Sequence, residues 1–359
     1  MLWILPELVV KSIHILPLVL CRQNLILLSM QARRNFKSSK KLIAVCFCFT
    51  TSRTNKQHRG EHIHHGYFTS PSQTKESAQI ALINLLLSQS QLPPDSSVLD
   101  VGCGLGGTSR YLARTLNCRV TGITISPSQV KLARELARQE IGHSGLETHE
   151  DDDTNNNNNT ISLTEYLNLG KGAVRFLELD AEKMGEYFSS TSDAAVAGTG
   201  KASHQAGGTF FDCVWISEAM SHLPKKPLFF QNAHALLRPG GKLIIADWFK
   251  AASLTAAQEE ADIRPIEDGM LLPPLCTQSD YVRLAEDAGF QCFARPMDVS
   301  AEVARTWDIS WSLVQSPALW AFAVSQGRDG LAFLQAFRAM RRGYANGTFR
   351  YAVMVFEKL

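Results

Sequence analysis

The sequence predicts an α/β fold in which a mostly parallel sheet is covered by helices on both faces. Strand-like apolar runs near residues 97–101, 118–125, 173–178, 211–216, 242–247, 290–297 and 350–357 alternate with helical patterns over 73–89, 108–116, 127–140, 226–237 and 279–288. That alternation is the pattern of a parallel sheet with crossover helices. Residues 98–113, VLDVGCGLGGTSRYLA, run from an apolar stretch through a loop with four glycines in six residues into a helical pattern. This is a buried strand, a tight turn and a helix start. Hydrophobic residues make up 45% and charged residues 19% of the 359-residue chain, enough apolar mass for a real core.

In such folds, ligands bind outside the carboxyl ends of the strands. At the end of the first strand, Gly102, Gly104 and Gly107 let the backbone approach a ligand because they lack Cβ, and Thr108 is placed to cap the helix. The letters satisfy G-x-G-x-x-G, which on its own suits a dinucleotide as well as other nucleotide-like ligands. Asp100 shifts the balance. A carboxylate two residues before the first glycine repels a diphosphate and attracts a cation such as a sulfonium or an amino group. The next strand ends in Thr124-Ile-Ser126 rather than in the acidic residue that a nicotinamide dinucleotide wants for its ribose. Together these favour S-adenosylmethionine (SAM) over NAD.

The following strand ends supply the remaining candidates. Ser126 reads as an N-cap with Pro127 at the first helical position, leaving Thr124 and Gln129 to reach ribose hydroxyls. Asp180, after Phe176-Leu-Glu-Leu, sits where a carboxylate can accept from an adenine amine or cap the helix that follows. Ser217-Glu218 ends the fourth strand, beside the first, and Ala219-Met-Ser-His222 follows, so Glu218 and His222 project toward the reacting centre. Histidine is the side chain best suited to take a proton near neutral pH. Arg238-Pro-Gly-Gly241 turns into the fifth strand, and Ser279 and Gly289 read as cap and stop of a later helix. Between the last two strands lie Trp307, Trp311, Trp320, Phe322, Phe333 and Phe337, an aromatic-rich helical insertion that reads equally as a substrate lid or as added core.

Charge excludes one class of partner. Of 36 basic and 34 acidic residues, ten basic and one acidic lie in residues 1–60, leaving 26 against 33 in the remainder. An acidic body argues against a nucleic acid held by charge. The eight cysteines show no C-x-x-C pair and no metal-ligand spacing, as expected of free thiols in a reducing compartment. Residues 144–170 and 189–209 include low-complexity stretches, ETHEDDDTNNNNNT and SSTSDAAVAGTGKASHQAGGT, read as loop insertions.

On these motifs the chain resembles the class I SAM-dependent methyltransferases, and more narrowly the gamma-tocopherol methyltransferase and sterol C-methyltransferase-like group. The glycine loop, the Asp at the third strand and RPGGKLIIAD carry the broad resemblance. The narrower one rests on Gly60-Glu-His62-Ile-His64-His65-Gly66-Tyr67-Phe68, the Thr124/Gln129 pair, Leu272 to Tyr281, and Met340 to Tyr344 with Phe349 to Tyr351. The resemblance implies a Rossmann-like, seven-stranded, mostly parallel sheet with its last strand antiparallel and a helical lid between strands six and seven, over about 249–280 and 300–340. It implies methyl transfer from SAM to a small, largely apolar acceptor (a secondary metabolite, prenyl-quinol or sterol-like molecule), with no metal. An inactive SAM-binding protein and, further off, an NAD-dependent dehydrogenase are the alternatives. The expected SAM contacts are Asp100, Gly102, Gly104, Gly106, Thr124, Gln129, Asp180, Ala181 and Ser217. His222, His65 and Glu218 are the catalytic candidates, with His64 beside them.

The methyltransferase domain is expected over 59–359. Residues 1–58 form an atypical basic and apolar extension that departs from the group, with Arg53 to Arg59 where a cofactor-covering helix belongs. It reads as a signal anchor, a transit segment or a mispredicted start. The expected location is cytoplasmic, or membrane-anchored or organellar if that extension is native.

Overall fold

The computed structural model describes residues 62–143, 165–190, 211–315, 317–325 and 327–359. The expectations for residues 1–58, for Gly60, and for most of both low-complexity insertions lie outside these residues.

The sheet contains eight strands among the described residues: β1 (Ser97–Val101), β2 (Arg119–Thr124), β3 (Leu167–Leu169), β4 (Gly172–Glu178), β5 (Phe211–Ser217), β6 (Leu237–Lys250), β7 (Phe290–Asp298) and β8 (Phe349–Lys358). Their order is β3-β4-β2-β1-β5-β6-β8-β7. β1 pairs in parallel with β2 and with β5, setting Val98 opposite both Val120 and Cys213. The chain progresses one way from β1 through β2 to β4 and the other way through β5 to β6. The carboxyl ends of β1 and β5 therefore flank the topological switch point, where open α/β sheets bind ligands. β8 runs antiparallel between β6 and β7.

Seven strands fall where the apolar runs predict. The eighth, β3, is an antiparallel edge strand of three residues beside β4, turned by Gly170 at φ +73°. It lies inside the stretch read as a loop insertion. Three residues beside a low-complexity run give no period to recognise. RPGG is the expected tight turn, with Gly240 at φ +77°, and the structure places it inside β6 as an irregularity opposite β5.

The helices are α1 (Lys75–Ser90), α2 (Gly107–Leu116), α3 (Pro127–His143), α4 (Met184–Ser190), α5 (Lys226–Leu236), α7 (Gln278–Asp287), α8 (Ser300–Val303), α9 (Arg305–Val314), α10 (Pro317–Ser325) and α11 (Arg328–Asn346). Ala256–Gln258, a π-helical turn over Glu259–Ile263 and Arg264–Met270 follow one another as α6. Two expected caps are corrected. Thr277, not Ser279, caps α7, in a capping box with Asp280. Gly106, not Thr108, precedes α2; its φ of +71° is a conformation that a side chain at Thr108 has no part in.

On one face of the sheet, Leu99, Val101, Val214, Ile216, Leu243 and Ile245 pack with Met184, Phe188, Phe229, Phe230 and Tyr281. That face holds the strands in register and so sets the relative positions of their carboxyl ends. A Cβ at Gly106 would lie 2.4 Å from the Phe176 ring. Gly106→Ala combines left-handed backbone strain with a core clash, and is expected to cost about 2–4 kcal/mol, measured by urea denaturation. An unchanged midpoint would contradict this packing.

Among the described residues no helix is long and apolar enough to cross a membrane.

Candidate active site

The glycine loop follows β1 directly. Gly102, Gly104 and Gly106 all have positive φ, of +74°, +55° and +71°. The amides of Gly102 and Cys103 donate to Ile123 O at 2.9 and 3.1 Å, and that of Gly106 to Cys103 O at 2.8 Å. Those three amides hold the loop's own shape and do not form a phosphate cradle. Gly102 is exposed at the end of a buried strand, and a Cβ there would lie 2.4 Å from that of Ala219. A Cβ at Gly104 would lie 2.7 Å from Ile63 Cδ1. Residues 62–68 therefore lie against the glycine loop. Gly107 is the first residue of α2, so its place in the motif is helical.

Asp100 is the last residue but one of β1, just before the loop. It is 3% exposed, and its Oδ2 accepts from Ser109 Oγ at 2.5 Å. Burial pushes its pKa up to about 6, against the opposing pull of the Ser109 bond. A carboxylate held in low dielectric without a positive partner is the chemistry that a sulfonium or an ammonium satisfies, so this loop fits SAM.

Thr124 and Gln129 meet as a pair: the Thr124 hydroxyl donates to Gln129 Oε1 at 2.6 Å. Ser126 Oγ accepts from the Gln129 amide at 3.4 Å, as an N-cap does. Neutral hydrogen bonds of this kind contribute about 0.5–1.5 kcal/mol each. Thr124→Val and Gln129→Ala are each expected to weaken SAM binding about 3- to 10-fold by calorimetry, with no loss of stability beyond 1 kcal/mol or so. Asp180 follows β4, where its Oδ1 accepts from the Glu182 amide at 3.0 Å, and Ala181 begins the 3-10 turn that it caps. The capping reading of Asp180 thus holds in the structure. Ser217 closes β5, half-buried and opposite Ala246.

The second cluster centres on His65. The Glu218 Oε1 atom accepts from the His65 amide at 2.6 Å and faces His65 Nδ1 at 2.8 Å. The Tyr351 hydroxyl donates to the same oxygen at 2.9 Å. Glu218 has φ +54°, fixed by its amide's bond to Ala246 O at 2.8 Å. Strained non-glycine backbone of this type concentrates at functional sites. Burial pushes the Glu218 pKa up, but the His65 ring and amide and the nearby His64 outweigh it, so the pKa lies below the usual value and the carboxylate is ionised. The Tyr351 hydroxyl is held well above its usual pKa, first by burial and then by Glu218.

Residues 62–68 are tied to their surroundings at several points. Gln79 Nε2 donates to His62 O at 3.0 Å and to His64 O at 2.6 Å. Gly66 N donates to Thr306 Oγ1 at 3.0 Å, and Phe68 N to Glu302 O at 3.1 Å. Around the His65 ring stand Tyr351, Trp307, Trp248 and Tyr344, with ring centroids 5.1, 5.3, 5.9 and 6.4 Å away. Both His65 Nε2 and Trp307 Nε1 are buried without a hydrogen-bond partner among the described residues. His64 Nδ1 donates to His65 O at 2.8 Å, and burial lowers its pKa; burial also takes the His62 pKa down to about 3. Both are neutral. His222 ends the 3-10 turn after β5, half-buried, with its ring 6.1 Å from that of Trp248.

The structure thus joins His65 to Glu218 and sets both His65 and His222 against Trp248. Sequence reasoning missed Asp247, Trp248, Thr306, Tyr344 and Tyr351 as site residues. Asp247 had a signal, a carboxylate near the carboxyl end of a predicted strand. It is fully buried, accepts from the amides of Ser221 and Trp248 at 2.8 and 2.7 Å, and has its pKa raised to about 6 by burial. Thr306 and Tyr351 meet residues 65–66 across more than 200 residues of chain, which no local pattern reveals. Part of the aromatic insertion is added core. Phe333, Phe337 and Trp307 form a buried stack, while Trp307 also walls His65. Among the described residues no cluster suits a metal ion.

A methyltransferase domain model matches residues 73–294. The chain is 27% identical over 320 residues to a probable chloroplastic tocopherol O-methyltransferase of Oryza sativa subsp. japonica, covering 83% of this chain and 73% of that one. It is 30% identical over 221 residues to a 2-methyl-6-phytyl-1,4-hydroquinone methyltransferase of Synechocystis, covering 60% of this chain and 53% of the other. In fold it is similar to the cyclopropane synthase MmaA2 of Mycobacterium tuberculosis, with a TM-score of 0.59 at 19% identity over 82% of this chain and 89% of that one. With its glycine loop at the switch point, a buried carboxylate suited to a cation and a domain match over most of the described residues, the chain belongs to the methyltransferase domain family and is a SAM-dependent methyltransferase.

Proposed function

We propose that the chain transfers the methyl group of SAM to a small, largely apolar acceptor that carries a hydroxyl, and that His65 takes the hydroxyl proton. One observation carries this reading: His65 Nδ1 faces Glu218 Oε1 at 2.8 Å while Nε2 is buried without a partner among the described residues. A neutral imidazole that donates from Nδ1 keeps its lone pair on Nε2. Leaving that atom unmatched costs about 1–3 kcal/mol, and an acceptor hydroxyl supplies the missing hydrogen. Bound SAM supplies a methyl carbon already activated for in-line displacement. The chain's own task is to align the acceptor and to remove its proton.

The Trp248, Trp307, Tyr344 and Tyr351 rings make the surroundings of His65 aromatic and apolar. This supports a prenyl-quinol, a sterol-like molecule or a comparable secondary metabolite. Tocopherol and 2-methyl-6-phytyl-1,4-hydroquinone, for which two relatives are named, are molecules of that kind. On the cofactor side, Asp100 balances the positive charge, Gly102, Gly104 and Ser217 leave room, Thr124 and Gln129 take the ribose, and Asp180 and Ala181 take the adenine. Gly106 acts by turning the loop into α2. Helices α6 and α8–α11 form the cap through which the acceptor enters. Free Cys103, Cys118, Cys213, Cys276 and Cys292 suit a reducing compartment, the cytoplasm or an organelle interior.

The test supplies methyl-labelled SAM with detergent-dispersed tocopherol or 2-methyl-6-phytyl-1,4-hydroquinone, each also with its hydroxyls blocked as ethers. Label is expected in an apolar, hydroxylated acceptor and not in its blocked form. Transfer that ignores blocking, or transfer confined to small amines, overturns the reading.

A further inference from the structure

Three donors converge on Glu218 Oε1, and two of them, the amide and Nδ1, belong to His65 itself. The third is the Tyr351 hydroxyl, which comes from the last strand of the sheet. Tyr351 is fixed along its backbone. Its amide donates to Ser300 Oγ at 2.8 Å, and its carbonyl accepts from Val299 N at 2.9 Å. Its Cα sits in register opposite Trp248. The residue is fully buried, so its hydroxyl needs a partner in place and has one.

We propose that Tyr351 is a positioning residue for His65: by donating to the same carboxylate oxygen that His65 uses, it holds Glu218 in one orientation and thereby holds His65 as the tautomer with a bare Nε2. The role rests on the reading that His65 is the proton acceptor. A carboxylate can turn about its terminal torsion, which is broad and roughly two-fold. The Nδ1 contact moves with the ring that it orients, so the fixed donors to this oxygen are the His65 amide and the Tyr351 hydroxyl. Tyr351 supplies a reference point on a different element. That element, β8, lies beside β6, whereas residues 62–68 are held by Gln79 and Thr306. Phenylalanine fills the same space and lacks the donor, which separates packing from hydrogen bonding.

The test uses the full chain with bound S-adenosylhomocysteine and nitrogen-labelled histidine, followed by NMR of the imidazole nitrogens, with the His65 signals identified by their loss in His65→Gln. In the unsubstituted chain His65 is expected as the Nδ1–H tautomer, with a slowly exchanging proton that shows a cross-peak to the Tyr351 hydroxyl proton. In Tyr351→Phe the exchange of that proton is expected to rise about 10-fold or more. Turnover should fall about 10-fold and the acid limb of its pH profile should move to higher pH, with SAM affinity unchanged. In a Glu218→Gln background, Tyr351→Phe should add no further loss. If Tyr351→Phe does not fold, the tautomer and the cross-peak in the unsubstituted chain decide the matter. An Nε2–H tautomer, an absent cross-peak, or identical His65 signals and pH profiles in the two chains overturn the proposal. Signals as expected without transfer to any hydroxylated acceptor reject His65 as the proton acceptor and leave the positioning by Tyr351 standing.

Discussion

Asp100→Asn is expected to weaken SAM binding by more than about 100-fold while making the ligand-free chain harder to unfold. The two effects have one cause. Asp100 is buried, and its pKa rises from 3.8 to about 6 on folding. Between those values the folded chain binds more protons than the unfolded chain, so the stability from this group is greatest at low pH and is lost as pH rises through about 6. At pH 7.5 the ionised carboxylate is a burden of at most about 3 kcal/mol, which asparagine removes while keeping an acceptor for Ser109. Bound SAM reverses the balance by placing positive charge near the carboxylate. SAM affinity in the unsubstituted chain should therefore fall as pH drops below about 6. Titration calorimetry at several pH values and urea unfolding of both chains check this. Near-normal SAM affinity in Asp100→Asn, or a loss of its stability at pH 7.5, would remove Asp100 from the cofactor site.

The second large effect is expected at His65 and Glu218. His65→Gln and Glu218→Gln should each lower turnover about 10²- to 10⁴-fold and leave SAM affinity within about threefold. The reason is geometric. Neither side chain belongs to the glycine loop, and their shared contact at 2.8 Å defines which imidazole nitrogen is bare. His222→Ala, which alters a half-buried ring against Trp248, should slow turnover by a smaller factor without changing SAM affinity. Rates with the acceptor identified by label transfer, alongside calorimetry with SAM, separate the outcomes. A His222 loss larger than that of His65 would move the proton-acceptor role to His222.

The sheet was legible because its signals are local. Seven apolar runs and the glycine loop announce strands and a turn within a few residues, since burial on both faces demands uninterrupted apolar side chains. The Ser126 cap was legible for the same reason, since the first helical turn brings Ser126 and Gln129, three residues apart, into hydrogen-bond reach. Caps were less so. Thr277 and Ser279 are both good capping residues, and only the backbone angles choose between them. Asp100 shows the limit for a single residue: its type and place were readable, but its burial and its bond to Ser109 depend on how α2 packs over β1.

Fold class, the switch-point loop and the cofactor were legible in the sequence, because each rests on local runs and short spacings repeated along the chain. Which histidine meets a carboxylate follows from long-range contacts alone. His65, Glu218, Trp307 and Tyr351 come from residues 62–68, the turn after β5, α9 and β8, and nothing in their spacing relates them. Their convergence follows from the antiparallel return of β8 beside β6 and from the packing of residues 62–68 onto the glycine loop. Those are long-range contacts, selected by burial of whole faces rather than by any local pattern.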